Sequence, residues 1–274
     1  MRGRGETADG PAFDGEFAAL AQGVYLEGLA VDHERDVIWY SDVVGGGIHG
    51  VTPDGGKVAV LDPDRLWTGG ILVNADGAVL SSGQGGVRWN DPATGRSGWL
   101  IDTLGGVPVN GINEMWPDGE GGMFFGTLDI ESVIAARPAR TTQLWRLTRE
   151  GHTELLADGL QFTNGIAHNP KLAQFYCSET FGQGLAWDVT PDLRLANRRV
   201  LLDRNDCDGL ALDIEDTVWI PASIHPASSG AYLPRARNAS RYPPRPARRR
   251  KCVSAARTAA TSTSPLSLPT PASA

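Results

Sequence analysis

A repeat of about 44 residues most constrains this 274-residue chain. Five segments share one outline: a short apolar strand, a turn rich in Asp, Asn or Gly, and a second strand of β-branched and aromatic residues. They are EGLAVDHERDVIWYSD from Glu27, GGILVNADGAVLSSG from Gly69, NEMWPDGEGGMFFGTLD from Asn113, NGIAHNPKLAQFYCSET from Asn164 and DGLALDIEDTVWIPAS from Asp208. Their starts lie 42, 44, 51 and 44 positions apart. After most of them a third strand and another turn follow. Short, partly alternating strands at this period predict an all-β fold, a β-propeller, because each blade is a small antiparallel sheet that must pack on its neighbours. A β-sandwich is the alternative, but it has no reason to repeat its strand-turn-strand unit at nearly constant spacing. The 51-residue interval holds DIESVIAARPARTTQ (129–143), read as an insertion, helical in part, on one face of the ring.

The propeller is expected over 17–223, with about five recognisable blades and residues 1–16 as an N-terminal extension. A sixth repeat falls due near residue 252, where CVSAARTAATSTSPLS has neither aromatics nor glycine. Residues 224–274 are therefore read as an aberrant or disordered Pro/Arg/Ala/Ser-rich tail. After Asp216 the chain has nine basic residues and no acidic one, whereas residues 1–216 hold 16 basic and 32 acidic side chains. A neighbouring reading frame of 256–264 can spell Gly-Pro-Asp-Gly-Arg-Asp-Leu-Tyr-Val, a turn and a strand. The expectation is a coding frame lost between Ile224 and Arg237, and a six-bladed propeller whose sixth blade is incomplete.

The acidic body excludes a nucleic-acid or anionic-membrane partner. The N-terminus lacks the apolar run of a secretory leader, and no window is long enough to span a bilayer. Cys177, Cys207 and Cys252 form no CxxC pair, which fits a reducing, cytoplasmic compartment. No HxxxH or HExxH spacing occurs, and Ser178 is not in a GxSxG elbow. His168 is read as a turn or surface histidine, Cys207 as a packed thiol and Glu179 as structural.

In a propeller the first strand of each blade lines the central channel, so the repeat starts converge on one axis. Four of the five starts, Glu27, Asn113, Asn164 and Asp208, carry side-chain oxygen. Carboxylate and amide oxygens without Cys or His are the donors a hard cation prefers. As isolated residues, Asn and Asp before Gly are ordinary turn formers; their recurrence at one place in a ring favours a site.

EGLAVD, INEMWPDGEGGMFFGTLD, FTNGIAHNP, YCSET and CDGLALDIEDTVWI together resemble the family of senescence marker protein, gluconolactonase and luciferin-regenerating enzyme, from about Phe17 to Ala222. The resemblance implies a six-bladed propeller with one divalent metal in the channel and hydrolysis of lactones. Ca²⁺ is expected, with Zn²⁺, Mg²⁺ and Mn²⁺ as alternatives. It implies Glu27, Asn164 and Asp208 as metal ligands, Asp208 also as the catalytic base, and Asn113 and Glu131 as substrate-binding residues. The implied partner is a small lactone or ester. Gly111 stands where sugar-lactone members often carry Arg, which leaves room for a less polar lactone or another ester. A non-catalytic binding propeller and a strictosidine-synthase-like enzyme are the alternatives.

Overall fold

The computed structural model describes residues 19–205, 207–221, 229–233, 237–239 and 266–268. The described chain is built from five successive four-stranded antiparallel units, the first four opening one or two residues before a repeat start and the fifth three residues after it. The first contains β1 (Leu26–Asp32), β2 (Val37–Asp42), β3 (Ile48–Val51) and β4 (Lys57–Leu61). The second contains β5 (Thr68–Val73), β6 (Val79–Gln84), β7 (Val87–Asn90) and β8 (Ser97–Ile101), and a small hairpin follows, β9 (Thr103–Leu104) and β10 (Val107–Pro108). The third contains β11 (Gly111–Pro117), β12 (Met123–Thr127), β13 (Thr142–Leu147) and β14 (Thr153–Leu160), with helix α1 (Ile130–Ile134) inserted after β12. The fourth contains β15 (Thr163–Asn169), β16 (Gln174–Glu179), β17 (Gly184–Val189) and β18 (Leu195–Leu202). The fifth contains β19 (Ala211–Leu212), β20 (Val218–Pro221), β21 (Ser229–Leu233) and β22 (Arg237–Ala239). The innermost strands pack in order: β1 on β5, β5 on β11, β11 on β15 and β15 on β19. Gly111 and Ile112 also pair with Gln84 and Gly83, joining the second and third units into one curled sheet. The architecture is all-β and propeller-like.

Burial follows from face-to-face stacking of these sheets. Trp39, Ile48, Ile71 and Val79 fill the space between units one and two. Phe124, Ile166, Phe175 and Trp187 fill that between units three and four, and Tyr176, Cys207, Val218 and Ile220 that between four and five. Phe175 lies edge-on between Phe124 and Trp187, with ring centres 5.1 and 6.1 Å away. Truncating such a ring to alanine costs about 3–5 kcal/mol.

Five residues after each repeat start stands an Asp or Asn: Asp32, Asn74, Asp118, Asn169 and Asp213. In four units its carboxylate or amide oxygen accepts backbone N–H groups of its own hairpin turn, as Asp118 does from Glu120 and Gly122 at 2.8 Å and Asp213 from Thr217 at 2.8 Å. This closes the turn that the repeat's polar cluster predicts.

Two findings bear on the tail. β21 and β22 fall within 224–274, where sequence pattern predicts no strand; the open edge of β20 supplies the backbone partners, so no apolar alternation is needed. Residues 266–268 pack against the second and third units, with Leu266 and Leu268 buried. The sixth repeat expected near residue 252 lies outside the described residues. His168 is neither a turn nor a surface residue. It is buried on β15, edge-on to Phe124 at 5.3 Å, because the apolar face of that strand continues through it.

Candidate metal and substrate site

The repeat starts are irregular in the same way. In the first four units the pairing of first and second strands slips, between Leu26 and Leu29, Thr68 and Ile71, Ile112 and Met115, and Thr163 and Ile166. Each slip brackets the repeat start and the residue after it. A bulge of this kind bends the strand and re-aims side chains, a common device beside functional sites. It turns Glu27, Asn113 and Asn164 out of the regular alternation.

The residue after each start is Gly28, Gly70, Glu114, Gly165 and Gly209. At Gly28 and Gly165 glycine is required because neighbouring units touch there, whereas the space at Gly209 is open. A β-carbon on Gly28 would collide with the Gly69 carbonyl, and one on Gly165 with the Leu210 backbone. The exception is Glu114. Its carboxylate points at Gly70, whose own β-carbon would lie 2.7 Å from Glu114 Oε2. Burial pushes the Glu114 carboxyl up to about 8, and the negative charges of Glu27 and Asp208 push the same way. Three carboxylates from units one, three and five thus act on one region. Sequence reasoning missed Glu114; the signal was there, the one repeat in which Gly is replaced after the start.

Hydroxyls fix the backbone of this ring. Ser41 Oγ donates to the Gly69 carbonyl at 2.9 Å, Ser82 Oγ to that of Asn113, and Ser178 Oγ to that of Asp208. These serines hold equivalent places in their units, and each binds the next unit's repeat start. At the junction of the third and fourth units the equivalent residue is Gly126, where a β-carbon would lie 2.6 Å from Thr163 Oγ1; that hydroxyl instead donates back to the Thr127 carbonyl at 2.6 Å.

Side-chain amides are oriented in turn. Asn164 Nδ2 donates to Asp208 Oδ1 and to Thr180 Oγ1, both at 2.9 Å. Asn113 Nδ2 donates to the Thr163 carbonyl at 3.0 Å. Asn113, Asn164 and Asp208 are therefore linked through β15, and Glu27 joins them electrostatically through Glu114. Glu131 stands apart: it is exposed on α1, and its backbone N–H donates to Asn110 Oδ1 at 3.2 Å. A cavity of about 410 Å³ opens beside it, lined by Val109, Asn110, Gly111, Leu128 and Trp145 among others. At Gly111 there is no vacancy. A β-carbon there would lie 3.1 Å from the Leu128 carbonyl and 3.3 Å from Ile130 Cβ, so the insertion's buried Ile130 fills the space.

The donors around Asn164 are oxygens alone. Among the described residues no three His, Cys, Asp or Glu groups gather at metal-holding distance, so a cation here would depend on amide oxygen as well as carboxylates. Both amide protons of Asn164 are already engaged, which leaves its carbonyl oxygen as the atom it offers. That donor set fits a hard divalent cation. The thiols do not compete: Cys177 and Cys207 are buried, and burial raises the Cys177 thiol far above its usual range. Among the described residues no helix is long and apolar enough to cross a membrane.

Five successive four-stranded units whose innermost strands pack in order define an all-β, propeller-like protein. The family model described as SMP-30/Gluconolactonase/LRE-like region matches residues 26–227, and the chain belongs to that family. Among solved structures, a gluconolactonase from Xanthomonas campestris is 24% identical, covering 77% of this chain and 73% of its own, with a TM-score of 0.66. A calcium-binding protein, regucalcin, from Agrobacterium tumefaciens is 16% identical over 81% of this chain and 75% of its own, with a TM-score of 0.68. A luciferin-regenerating enzyme is 19% identical over 76% and 71%, with a TM-score of 0.63. No curated protein matches.

Proposed function

We propose that this chain hydrolyses lactones with the help of one divalent cation, Ca²⁺ in first place, held by Glu27, Asn164 and Asp208 in a six-bladed ring. The observation that carries the reading is the hydrogen bond by which Asn164 holds Asp208 Oδ1 at 2.9 Å, with Glu27 and Asp208 both acting electrostatically on Glu114, whose carboxyl is raised chiefly by burial. The gluconolactonase and calcium-binding relatives support it. When bound, the cation supplies Lewis-acid polarisation of the lactone carbonyl and stabilises its developing negative charge.

The chain's own groups do the rest. Asp208 takes the proton of the attacking water; the hydrogen bond from Asn164 fixes Asp208 Oδ1. Asn113, oriented by its bond to the Thr163 carbonyl, presents its remaining amide hydrogen and its oxygen to the substrate. Glu131 offers a carboxylate to substrate hydroxyls at the rim of the cavity. Gly111 brings no cationic side chain to this position and Ile130 packs beside it, so the favoured substrate is a lactone less polar than a sugar-acid lactone.

The test is hydrolysis of a panel of γ- and δ-lactones by the full chain, followed by acid release, with EDTA and after Ca²⁺ is restored. Hydrolysis that disappears with EDTA and returns with Ca²⁺ is expected. Activity on no lactone, or activity that EDTA leaves unchanged, would overturn the proposal, and chelator-resistant condensation would favour the strictosidine-synthase-like alternative.

A further inference from the structure

The hairpin turns that follow the five Asx positions lie in a row, and neighbouring turns are bridged. Arg35 from the first unit packs against Gly77 in the turn of the second. The His168 ring of the fourth unit hydrogen-bonds the backbone of Asp118 in the third. Asn169 and Lys171 of the fourth unit both bind Asp216 of the fifth. Between the second and third units the bridge is the three-residue segment Leu266–Ser267–Leu268.

This segment is held like a short added strand. The Ala75 N–H donates to the Leu266 carbonyl at 2.8 Å, and the Ser267 N–H to the Gly121 carbonyl at 3.1 Å. Asn74 pairs with Leu268 in both directions: Nδ2 to its carbonyl at 3.0 Å, and its N–H to Oδ1 at 3.1 Å. Asn74 is the one Asx residue whose oxygen leaves its own turn; Asp76 Oδ1 takes over there, accepting the Ala78 N–H at 2.9 Å. Leu266 and Leu268 enter the same apolar cluster as Leu80, Trp89, Met115 and Met123. A cavity of about 400 Å³ continues beside Leu268, bounded by Asp76 and Arg149. Backbone bonds set the direction, and two side-chain sockets two residues apart set the sequence.

We propose that the notch between the Asn74 and Asp118 turns is a peptide-docking site for an extended Leu-x-Leu segment, occupied in cis by Leu266–Leu268. Reach does not limit it: 26 residues separate Ala239 from Leu266, enough to span about 85 Å. As a tethered ligand the segment outcompetes free peptide, because its effective concentration is of millimolar order. The site lies at the turns rather than at the repeat starts, so it stands independently of the lactonase reading.

The test uses the full chain and a fluorescent Ser-Pro-Leu-Ser-Leu-Pro peptide, followed by anisotropy. The variant carrying Leu266→Asp and Leu268→Asp is expected to bind this peptide at least about tenfold more tightly than the unaltered chain. Adding Asn74→Leu to that variant is expected to abolish binding. Equal binding by unaltered and variant chains, or binding by neither, would overturn the proposal. A second measurement needs no variant: amide exchange at Ser267 and Leu268 in the unaltered chain. Slowing of about tenfold or more against the free peptide is expected, and free-peptide rates at both amides would also overturn it.

Discussion

Asn164 donates a hydrogen bond to Asp208 Oδ1 at 2.9 Å, across 44 residues and between equivalent places in successive repeats. Ser178 binds the same residue from behind, its hydroxyl donating to the Asp208 carbonyl. Side chain and backbone of one aspartate are thus positioned by the preceding unit. Replacing Asp208 by Asn keeps an oxygen donor but removes the proton acceptor. Asp208→Asn is expected to lower kcat for lactone hydrolysis by about 10²–10⁴-fold while retaining part of the cation affinity. Steady-state kinetics beside a Ca²⁺ titration will separate the two, and an unchanged kcat would remove Asp208 from the proton transfer.

Ser178→Ala removes one of two donors to the Asp208 carbonyl; the Gly165 N–H, at 3.3 Å, remains. The expected stability loss is about 1 kcal/mol in urea denaturation. Because the carbonyl's owner is the proposed base, kcat should fall by about tenfold with little change in KM. Loss of stability at unchanged kcat would make the serine a purely structural stitch.

Glu114 gives the folded chain a pH signature. Its carboxyl is raised to about 8 from an ordinary 4.5, chiefly by burial. Between those values the folded chain holds a proton that the unfolded chain has released, so stability falls as pH rises through the window. Glu114→Gln is expected to remove that fall. Denaturation at pH 5, 6.5 and 8 in EDTA should show the variant gaining on the unaltered chain as pH rises; a constant difference would contradict the assignment.

His168 works with the opposite sign. Burial lowers its pKa, partly offset by Asp118, with Arg146 reinforcing the lowering. The folded chain therefore binds this proton less readily than the unfolded one. Stability is fully present above about pH 6.5 and is lost as pH falls below it. His168→Gln is expected to flatten that acid-side slope in thermal melts between pH 5 and 7. An equally steep slope in the variant would assign it to other groups.

The repeat was legible because each unit writes its apolar strand and its Asx turn at the same spacing. The start-plus-five series from Asp32 to Asp213 follows the 42, 44, 51 and 44 intervals without exception. The insertion in the third interval was legible for the same reason, and α1 occupies part of it. The contact between Asn164 and Asp208 was readable from their equivalent places in successive repeats. Glu114 was marked only as the one replacement of Gly after a repeat start; its place in the site was not readable, because the bulge that overrides strand alternation leaves no mark in hydrophobic pattern. Nor could spacing reveal that Ile130 fills the space at Gly111, or that β21 and β22 would pair onto β20. Buried His168 was missed because an imidazole against Phe124 looks, in sequence, like any polar residue beside a turn.

The central claim is one cation held by Glu27, Asn164 and Asp208, and Ca²⁺ titration of the chelator-stripped full chain by calorimetry tests it most directly. One saturable site is expected, weakened at least about tenfold by Glu27→Gln and by Asn164→Leu, in variants whose melts remain cooperative. No binding heat in a folded chain, or an affinity that neither substitution changes, would contradict the account.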